Sequence, residues 1–326
     1  MAEQVSVRIA VWGIGYHAEK NVLPAIAVCD GVSLTGLYSR DQQRAARAGA
    51  RFGATVWSDA DDMLASPDID AVYICTPIGL HFEQGMTVIR AGKHLLCEKA
   101  LTADAAQSQQ LLSEARAQER ALCEAFMYAF HPQFSRVAEI SAAPAFGGIE
   151  TLNCCFGMPT LDQPGFRHSR ELGGGGFLDL GCYPISLAAR LVDGQARVLS
   201  AAVTASRSQG VDMTGHATIQ FSSGPIAHLE WGFGRAYRNE VSVWGVNQSI
   251  YADRIFSKAP EYTSHILVRD ERGAERSVEI SSANAFVEML NAFATATRDP
   301  RMRETLWAAT ARQADVVASV QAALFG

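Results

Sequence analysis

Three short stretches join residue types that can do chemistry to a spacing that gathers them in one place. The first is Gly13-Ile14-Gly15-Tyr16-His17-Ala18, directly after the apolar run Val5–Val11. A strand that feeds a helix through Gly-x-Gly-x-x-Ala is the setting in which this spacing cradles phosphates. Gly13 suits the tight turn, Gly15 has no Cβ to block a pyrophosphate, and Ala18 lets the helix approach the sheet. The free N–H groups and the dipole at the helix start favour anionic oxygens. Ile14, Tyr16 and His17 complete the predicted dinucleotide contacts. The second stretch is the tip of the next strand, Tyr38-Ser39-Arg40. A site for NAD(H) usually ends this strand in a carboxylate that binds the ribose hydroxyl. Here Ser39 and Arg40 suit a 2′-phosphate instead, with Arg44 one helical turn on. The chain therefore reads as binding NADP(H), and Asp41 reads as a helix-start carboxylate.

The third stretch lies at two further strand ends. Ile74-Cys-Thr76-Pro77 is followed by His81, and His94-Leu-Leu-Cys97 is followed by Glu98-Lys99. In an open parallel sheet, ligands bind beyond the carboxyl ends of the strands. Thr76, Pro77, His81, Glu98 and Lys99 are thereby expected around the cofactor, with Lys99 near its reactive ring.

The elements that must position these residues follow from periodicity. Strands are predicted at Val5–Val11, Ser33–Tyr38, Ala71–Ile74, His94–Cys97 and Ala121–Glu124. Helices are predicted between them at 17–27, 41–52, 59–65, 81–91 and 102–118. Near-continuous apolar strands alternating with helices specify a doubly wound parallel sheet. After residue 125 the rhythm changes. A helix starts at His131-Pro132, a strand runs Ile149–Phe156, four glycines occupy 173–176, and a helix spans Phe177–Leu191. From there to Ile280, period-two strands such as Thr214–Phe221 and Ile226–Phe233 predict an antiparallel sheet. Helices over 286–297 and 303–324 close the chain. The division is a dinucleotide-binding domain at 1–124 and a substrate-binding and oligomerisation domain at 125–326.

Several of these motifs together carry a family resemblance. Ala71-Val-Tyr-Ile-Cys-Thr-Pro77, Leu80-His81 and Ala91-Gly-Lys-His-Leu-Leu-Cys-Glu-Lys99 resemble the glucose–fructose oxidoreductase/inositol dehydrogenase family. So do Phe126-Met-Tyr-Ala-Phe-His-Pro-Gln133 and Gly173-Gly-Gly-Gly-Phe-Leu-Asp-Leu-Gly-Cys-Tyr-Pro184. The resemblance spans the chain and implies an α/β protein: an N-terminal Rossmann sheet, then a C-terminal α/β domain with a large, mostly antiparallel open sheet. It further implies a catalytic lysine at Lys99, with Asp179 and Tyr183 as active-site positions of the second domain.

Those residues also make chemical sense together. Asp179 and Tyr183, four apart on a helix, share a face. Reducing a ketone requires a proton for the developing alkoxide. Tyr183 fits as its donor with Lys99 lowering its pKa, and Asp179 fits as a group that holds Lys99 or a sugar hydroxyl. The preceding glycines are expected to let the backbone approach cofactor or substrate, and Arg167 to reach the cofactor or a substrate phosphate. Two departures stand out. Relatives mostly read Glu-Lys-Pro where this chain has Ala100, and a non-proline cis bond costs roughly 3 kcal/mol, so the local backbone is expected to differ. Ala129 replaces a bulkier residue and opens the pocket wall.

Trp231-Gly-Phe-Gly-Arg-Ala-Tyr-Arg-Asn239 and Asp253-Arg-Ile-Phe-Ser-Lys-Ala-Pro260 look most like nucleotide-sugar 3-ketoreductases, with dihydrodiol and xylose dehydrogenases as further likenesses. Trp231, Phe233, Arg235 and Tyr237 suit base stacking or diphosphate pairing, or else pack a sheet face. The expected activity is NADPH-dependent reduction of a keto-sugar, bare or nucleotide-linked. A sugar or dihydrodiol dehydrogenase, and a silent NADP(H)-binding regulator, are the rival readings; retention of Lys99 and Tyr183 argues against the regulator.

Composition sets the remaining bounds. A chain of 326 residues with 48% hydrophobic and 19% charged content suits two folded domains. With net charge −6 and no polybasic run, nucleic acid is not an expected partner. No leader or membrane span is read from the N-terminus. Seven scattered cysteines without a Cys-x-x-Cys pair point to reduced thiols in a cytoplasm, and no metal site is expected. The open sheet's uncovered face is the expected surface of a homodimer or homotetramer.

Overall fold

Short apolar runs build the first sheet: β1 (Val7–Trp12), β2 (Val32–Tyr38), β3 (Thr55–Trp57), β4 (Ala71–Ile74), β5 (His94–Cys97) and β6 (Leu122–Glu124). The computed structural model describes residues 6–162, 165–205 and 210–326, so the expected strand start at Val5 lies outside the described residues. All neighbours pair in parallel, in the order β3-β2-β1-β4-β5-β6. Every β4 residue is fully buried, as continuous apolar strands are when helices cover both faces. Strand order reverses between β1 and β4, and the ligand crevice of such a sheet opens at their carboxyl ends. The sequence reading missed β3, three edge residues too few to show a period.

Capping residues set the helix starts. Asp41 accepts the Arg44 N–H at 2.9 Å and opens α2 (Gln42–Phe52), so Asp41 is the helix-start carboxylate that was expected. Asp59 and Asp104 do the same for α3 (Ala60–Ala65) and α5 (Ala105–Ala117). Between them, α4 (His81–Arg90) begins at His81 itself. The first helix differs from expectation: a π-helical turn, Ala18–Val22, precedes α1 (Leu23–Ala27). Pro24 has no N–H for the regular ladder, and a widened turn accommodates the missing bond. The Lys99–Ala100 peptide is cis although its second residue is not proline; the trans bond ordinary for such a pair is not what is found.

The chain divides into two units, Met1–Ala125 with Phe286–Ala311, and Phe126–Ala285 with Arg312–Gly326. Residues 286–311 comprise most of α8 (Ala285–Ala296) and the first part of α9 (Pro300–Phe325). They return to the first unit because they complete its core. Trp307 joins the apolar cluster under β4 and β5 and donates its indole N–H to Arg120 O at 3.2 Å. A division made from motif order alone has no means of anticipating that return.

The second unit is an eight-stranded sheet: β7 (Ile149–Met158), β8 (Ala196–Ala205), β9 (Asp212–Phe221), β10 (Ile226–Phe233), β11 (Arg238–Gly245), β12 (Gln248–Asp253), β13 (Ser264–Asp270) and β14 (Glu275–Ile280). Its order is β14-β13-β12-β11-β7-β10-β9-β8, antiparallel throughout except for β7 against β10. Alternation buries Ala227, Leu229, Trp231 and Phe233 and exposes His228 and Glu230. The expected helices are α6 (Pro132–Ala142), capped by His131, and α7 (Cys182–Leu191), which a π-helical turn at Phe177–Gly181 precedes.

Trp231 and Phe233 are 3% and 7% exposed, so they are core residues and neither is a stacking platform for a base. Trp231 occupies space that two glycines leave open. A Cβ on Gly215 would lie 2.5 Å from its ring, and one on Gly181 would lie 2.9 Å away. Gly215→Ala should therefore destabilise the protein by about 1–3 kcal/mol through overpacking. Urea denaturation measures this, and an unshifted midpoint would refute the packing argument.

Candidate active site

The carboxyl ends of β1, β4 and β5 bring the predicted residues of the first unit together. Gly13 adopts φ 103°, and a Cβ there would meet Thr76 N at 2.9 Å, so the β1 turn crosses close over the β4 tip. Gly15 is different. A Cβ on it would meet nothing within 4 Å. The protein itself does not require a glycine there; the open space lies at the start of a helix, where free N–H groups can donate to an anion. Ala18 behind it is buried, as expected for close helix–sheet approach.

At the β2 tip, Ser39 is buried and Arg40 is exposed. Arg44 does not simply add charge, because its Nε lies 3.2 Å from Glu19 Oε2. With Asp41 used as a cap, Arg40 is the cation at this tip without an ion-pair partner among the described residues.

Around β4 and β5 the polar groups interlock. Glu98, whose side chain is 12% exposed, accepts a hydrogen bond from the Tyr73 hydroxyl at 2.6 Å and pairs with His17 Nε2 at 3.1 Å. The Asn21 amide donates to His17 Nδ1 at 3.1 Å, which leaves the ring proton on Nε2 to face Glu98. Burial alone raises the Glu98 pKa. The His17 ring, the Tyr73 hydroxyl and the Lys99 charge outweigh burial and hold it below the ordinary glutamate value. Tyr73 moves the other way, raised by burial and by the Glu98 charge, and so remains a donor.

One residue differs from its expected role. His81 is fully buried, with Nδ1 2.9 Å from Ala100 O and Nε2 2.8 Å from Thr76 O. Its ring ties the β4 tip to the turn after Lys99, and an enclosed ring engaged at both nitrogens positions backbone instead of touching a cofactor. Thr76 donates to Gln84 Oε1 at 2.5 Å. Sequence reasoning missed Tyr73 and Glu124, whose Oε1 accepts the Leu101 N–H at 2.8 Å. The available signal was polarity: a tyrosine hydroxyl in a strand buried on both faces must find a partner.

In the second unit, Asp179 sits in the π-helical turn and is 4% exposed. Arg167 Nε donates to its Oδ2 at 2.5 Å. That contact places Arg167 on Asp179 within the second unit. The glycine run serves the same local packing. A Cβ on Gly174 would lie 2.5 Å from Arg167 O, one on Gly175 2.3 Å from Asp212 Oδ1, and one on Gly176 2.7 Å from Met213 O. The close approach that needs glycine is therefore to the protein's own backbone and to Asp212. Tyr183 is 6% exposed and packed by Phe126, Phe156 and Phe256 at ring distances of 5.0–5.4 Å. Its hydroxyl lies 3.9 Å from Met127 Sδ. Four apolar neighbours hold this phenol in one orientation.

Comparison with known proteins agrees with the two-sheet fold. Residues 7–126 match the GFO/IDH/MocA oxidoreductase family with its NAD-binding Rossmann fold, and residues 134–251 match the GFO/IDH/MocA C-terminal domain. The chain is 32% identical to dTDP-3,4-didehydro-2,6-dideoxy-alpha-D-glucose 3-reductase from Saccharopolyspora spinosa, over 88% of this chain and 86% of that one. It is 34% identical to D-xylose 1-dehydrogenase (NADP(+)) 2 from Haloferax volcanii, over 68% of this chain and 67% of that one. Among solved structures, a 3-ketoreductase from Actinomadura kijaniata in complex with NADP and TDP-benzene superposes with a TM-score of 0.92 at 29% identity, covering 98% of each chain.

Tyr73→Phe removes one of two bonds to a buried carboxylate, a loss of about 1.5–3 kcal/mol. Because the Glu98 pKa is depressed on folding, its stabilisation is present above the unfolded pKa and is lost as pH falls through the folded one. The stability gap between wild type and Tyr73→Phe should be full at neutral pH and shrink below about pH 4. Thermal melts across pH test this, and a gap that does not vary with pH would contradict the charged-acceptor assignment.

Proposed function

The chain belongs to the GFO/IDH/MocA oxidoreductase family, and from that premise we propose that it is an NADP(H)-dependent oxidoreductase that reduces a keto-sugar, most favourably one linked to a nucleotide. The observation that carries the reading is the empty space over Gly15 beside a strand tip where Arg40 has no ion-pair partner among the described residues and the adjoining carboxylate, Asp41, caps α2. That combination fits a pyrophosphate on the helix start and a 2′-phosphate on Arg40. Ser39 neighbours the same phosphate, and Thr76, Pro77 and Glu98 border the cofactor at the β4 and β5 tips. The group, when bound, supplies hydride at its nicotinamide ring.

This chain's own residues supply position and the proton. Lys99 and Tyr183 are assigned to proton transfer on the carbonyl–alcohol pair. The Tyr73–Glu98–His17 network holds the backbone that presents Lys99 and couples it to the glycine turn. Asp179, neutralised by Arg167, anchors the helix that carries Tyr183. The substrate class rests on likeness to the dTDP-keto-sugar reductase. A second reading, an NADP-dependent sugar dehydrogenase, draws on the D-xylose 1-dehydrogenase likeness. NADPH oxidation measured against keto-sugars, aldoses and diols separates the two, and NADPH binding without any turnover would support a silent regulator instead.

The uncovered face of the eight-stranded sheet presents Trp244 and Tyr251, 65% and 41% exposed. A second copy of the chain suits that face as a homodimer or, by a further pairing, a homotetramer. Among the described residues no helix is long and apolar enough to cross a membrane. Seven cysteines without a disulfide suit a reducing cytoplasm.

Arg40→Asp should weaken NADPH binding by about 10–100-fold, the range of a lost charged hydrogen bond, with NADH affected far less. Equal loss for both cofactors would sink the phosphate assignment. Lys99→Ala should lower kcat by on the order of 10²–10⁴ while NADPH affinity stays nearly intact. Near-normal turnover in that variant would remove Lys99 from the chemistry.

A further inference from the structure

The turn after β1 needs only Gly13, Gly15 and Ala18 to make room for a phosphate, and its backbone N–H groups to hold one. The His17 side chain is surplus to that task, yet it is held firmly. His17 stands where the π-helical turn Ala18–Val22 begins, and its own backbone is already helical. Residues four apart on a helical turn are neighbours, and the Asn21 amide donates to His17 Nδ1 at 3.1 Å. The Phe286 ring lies 5.6 Å from the imidazole, centre to centre. Ring orientation and tautomer are thereby set, with the Nε2 proton directed at Glu98 Oε1, 3.1 Å away.

What the ring meets is a carboxylate next in the chain to Lys99. Glu98 accepts a second bond, at 2.6 Å, from the fully buried Tyr73 hydroxyl. Cys75 beyond β4, Cys97 in β5 and His81 at the start of α4 complete its titratable surroundings. Burial and the Glu98 charge raise Tyr73 and both thiols, and burial lowers His81, so these four stay uncharged through neutral pH. The cations that act on Glu98 are His17 and Lys99; burial works against its charge, and His17 leads the groups that offset burial. Opposite charges favour each other's ionised forms. An ionised Glu98 therefore supports the Lys99 ammonium, and a protonated Glu98 withdraws that support.

We infer that His17 is a positioning residue for carbonyl reduction: locked by Asn21, its ring keeps Glu98 ionised, and Glu98 in turn keeps Lys99 charged as the proton donor. As hydride from the bound cofactor reaches the carbonyl carbon, the ammonium loses one proton to the oxygen, and the amine regains it from water. The inference rests on the oxidoreductase reading and adds that the phosphate-binding turn sets the charge state of the donor.

The test is the pH profile of kcat for keto-sugar reduction by the full-length, NADPH-loaded protein on the acid side of neutrality. Without His17, burial of Glu98 is less offset and the carboxylate takes up its proton at higher pH. His17→Leu should move the acid limb upward by about one to two pH units, the equivalent of a lost hydrogen bond to a charged group. KM for NADPH should change little, and His17→Gln, which returns a donor, should bring the limb back towards the wild type. An unmoved limb in His17→Leu, or a loss confined to KM for NADPH, would overturn the inference. Should His17→Leu prove unfolded by thermal melt, Asn21→Leu decides: it should move the limb the same way by less, and no movement overturns the inference. Infrared titration of the carboxyl, its band identified by Glu98→Gln, reads the same event without turnover. If the wild type reduces no keto-sugar, only the functional reading fails. Protonation of Glu98 at one and the same pH with and without His17 defeats the positioning role by itself.

Discussion

A carboxylate at the end of β5 organises the first unit. Glu98 is largely removed from water, and a charge so placed is tolerable only when other groups meet it. Tyr73 comes from β4, His17 from the helix start after the glycine turn, and Lys99 from the next position in the chain. Three elements are thereby committed to one spot. The turn around Gly13 and Gly15 is pinned to the tip of β5, so the phosphate cradle and the Lys99 backbone share a common support. His81, bonded to Thr76 O and Ala100 O, repeats the principle one layer deeper. A polar network of this sort stabilises only when complete.

The second unit solves its placement problem with the absence of side chains. Gly174, Gly175 and Gly176 let the backbone press against Arg167 O, Asp212 and Met213 O, and Gly181 and Gly215 let Trp231 lie between helix and sheet. The result is a helix start that buries Asp179 and must supply it with Arg167, and a Tyr183 ring fixed by aromatic neighbours. Asp212 accepts the Phe177 N–H at 2.6 Å and helps hold that start. Rigidity here follows from packing density, whereas in the first unit it follows from charge.

Charge bookkeeping also sharpens the choice of cofactor. Four charged groups crowd the β2 tip, but Glu19 meets Arg44 and Asp41 caps α2. Arg40 is what remains. The phosphate reading thus depends on one side chain whose neighbours are already spent on each other, a narrower and more testable basis than a basic cluster.

Much of this was legible in the sequence, and for physical reasons. β4 and β5 were bounded to the residue because short apolar runs between polar tips leave a strand no other register. Asp41 and Pro132 marked helix starts because the orphan N–H groups there select those residues. The Gly13–Ala18 spacing, Arg40 and the Glu98-Lys99 pair could be placed because strand tips of a parallel sheet converge. What the sequence could not determine depends on groups distant in the chain. Trp231 and Phe233 fall in the core because alternation says only which residues share a face, and the layer that covers that face is a tertiary fact. Arg167 lies on Asp179, twelve residues away, and Tyr73 on Glu98, twenty-five away, through pairings that no local period encodes. The first unit takes Trp307 back into its apolar cluster, a packing between distant parts of the chain that only the folded protein reveals. Residue types and spacing determined which chemistry the chain carries; tertiary packing decided which of those side chains are left available to perform it.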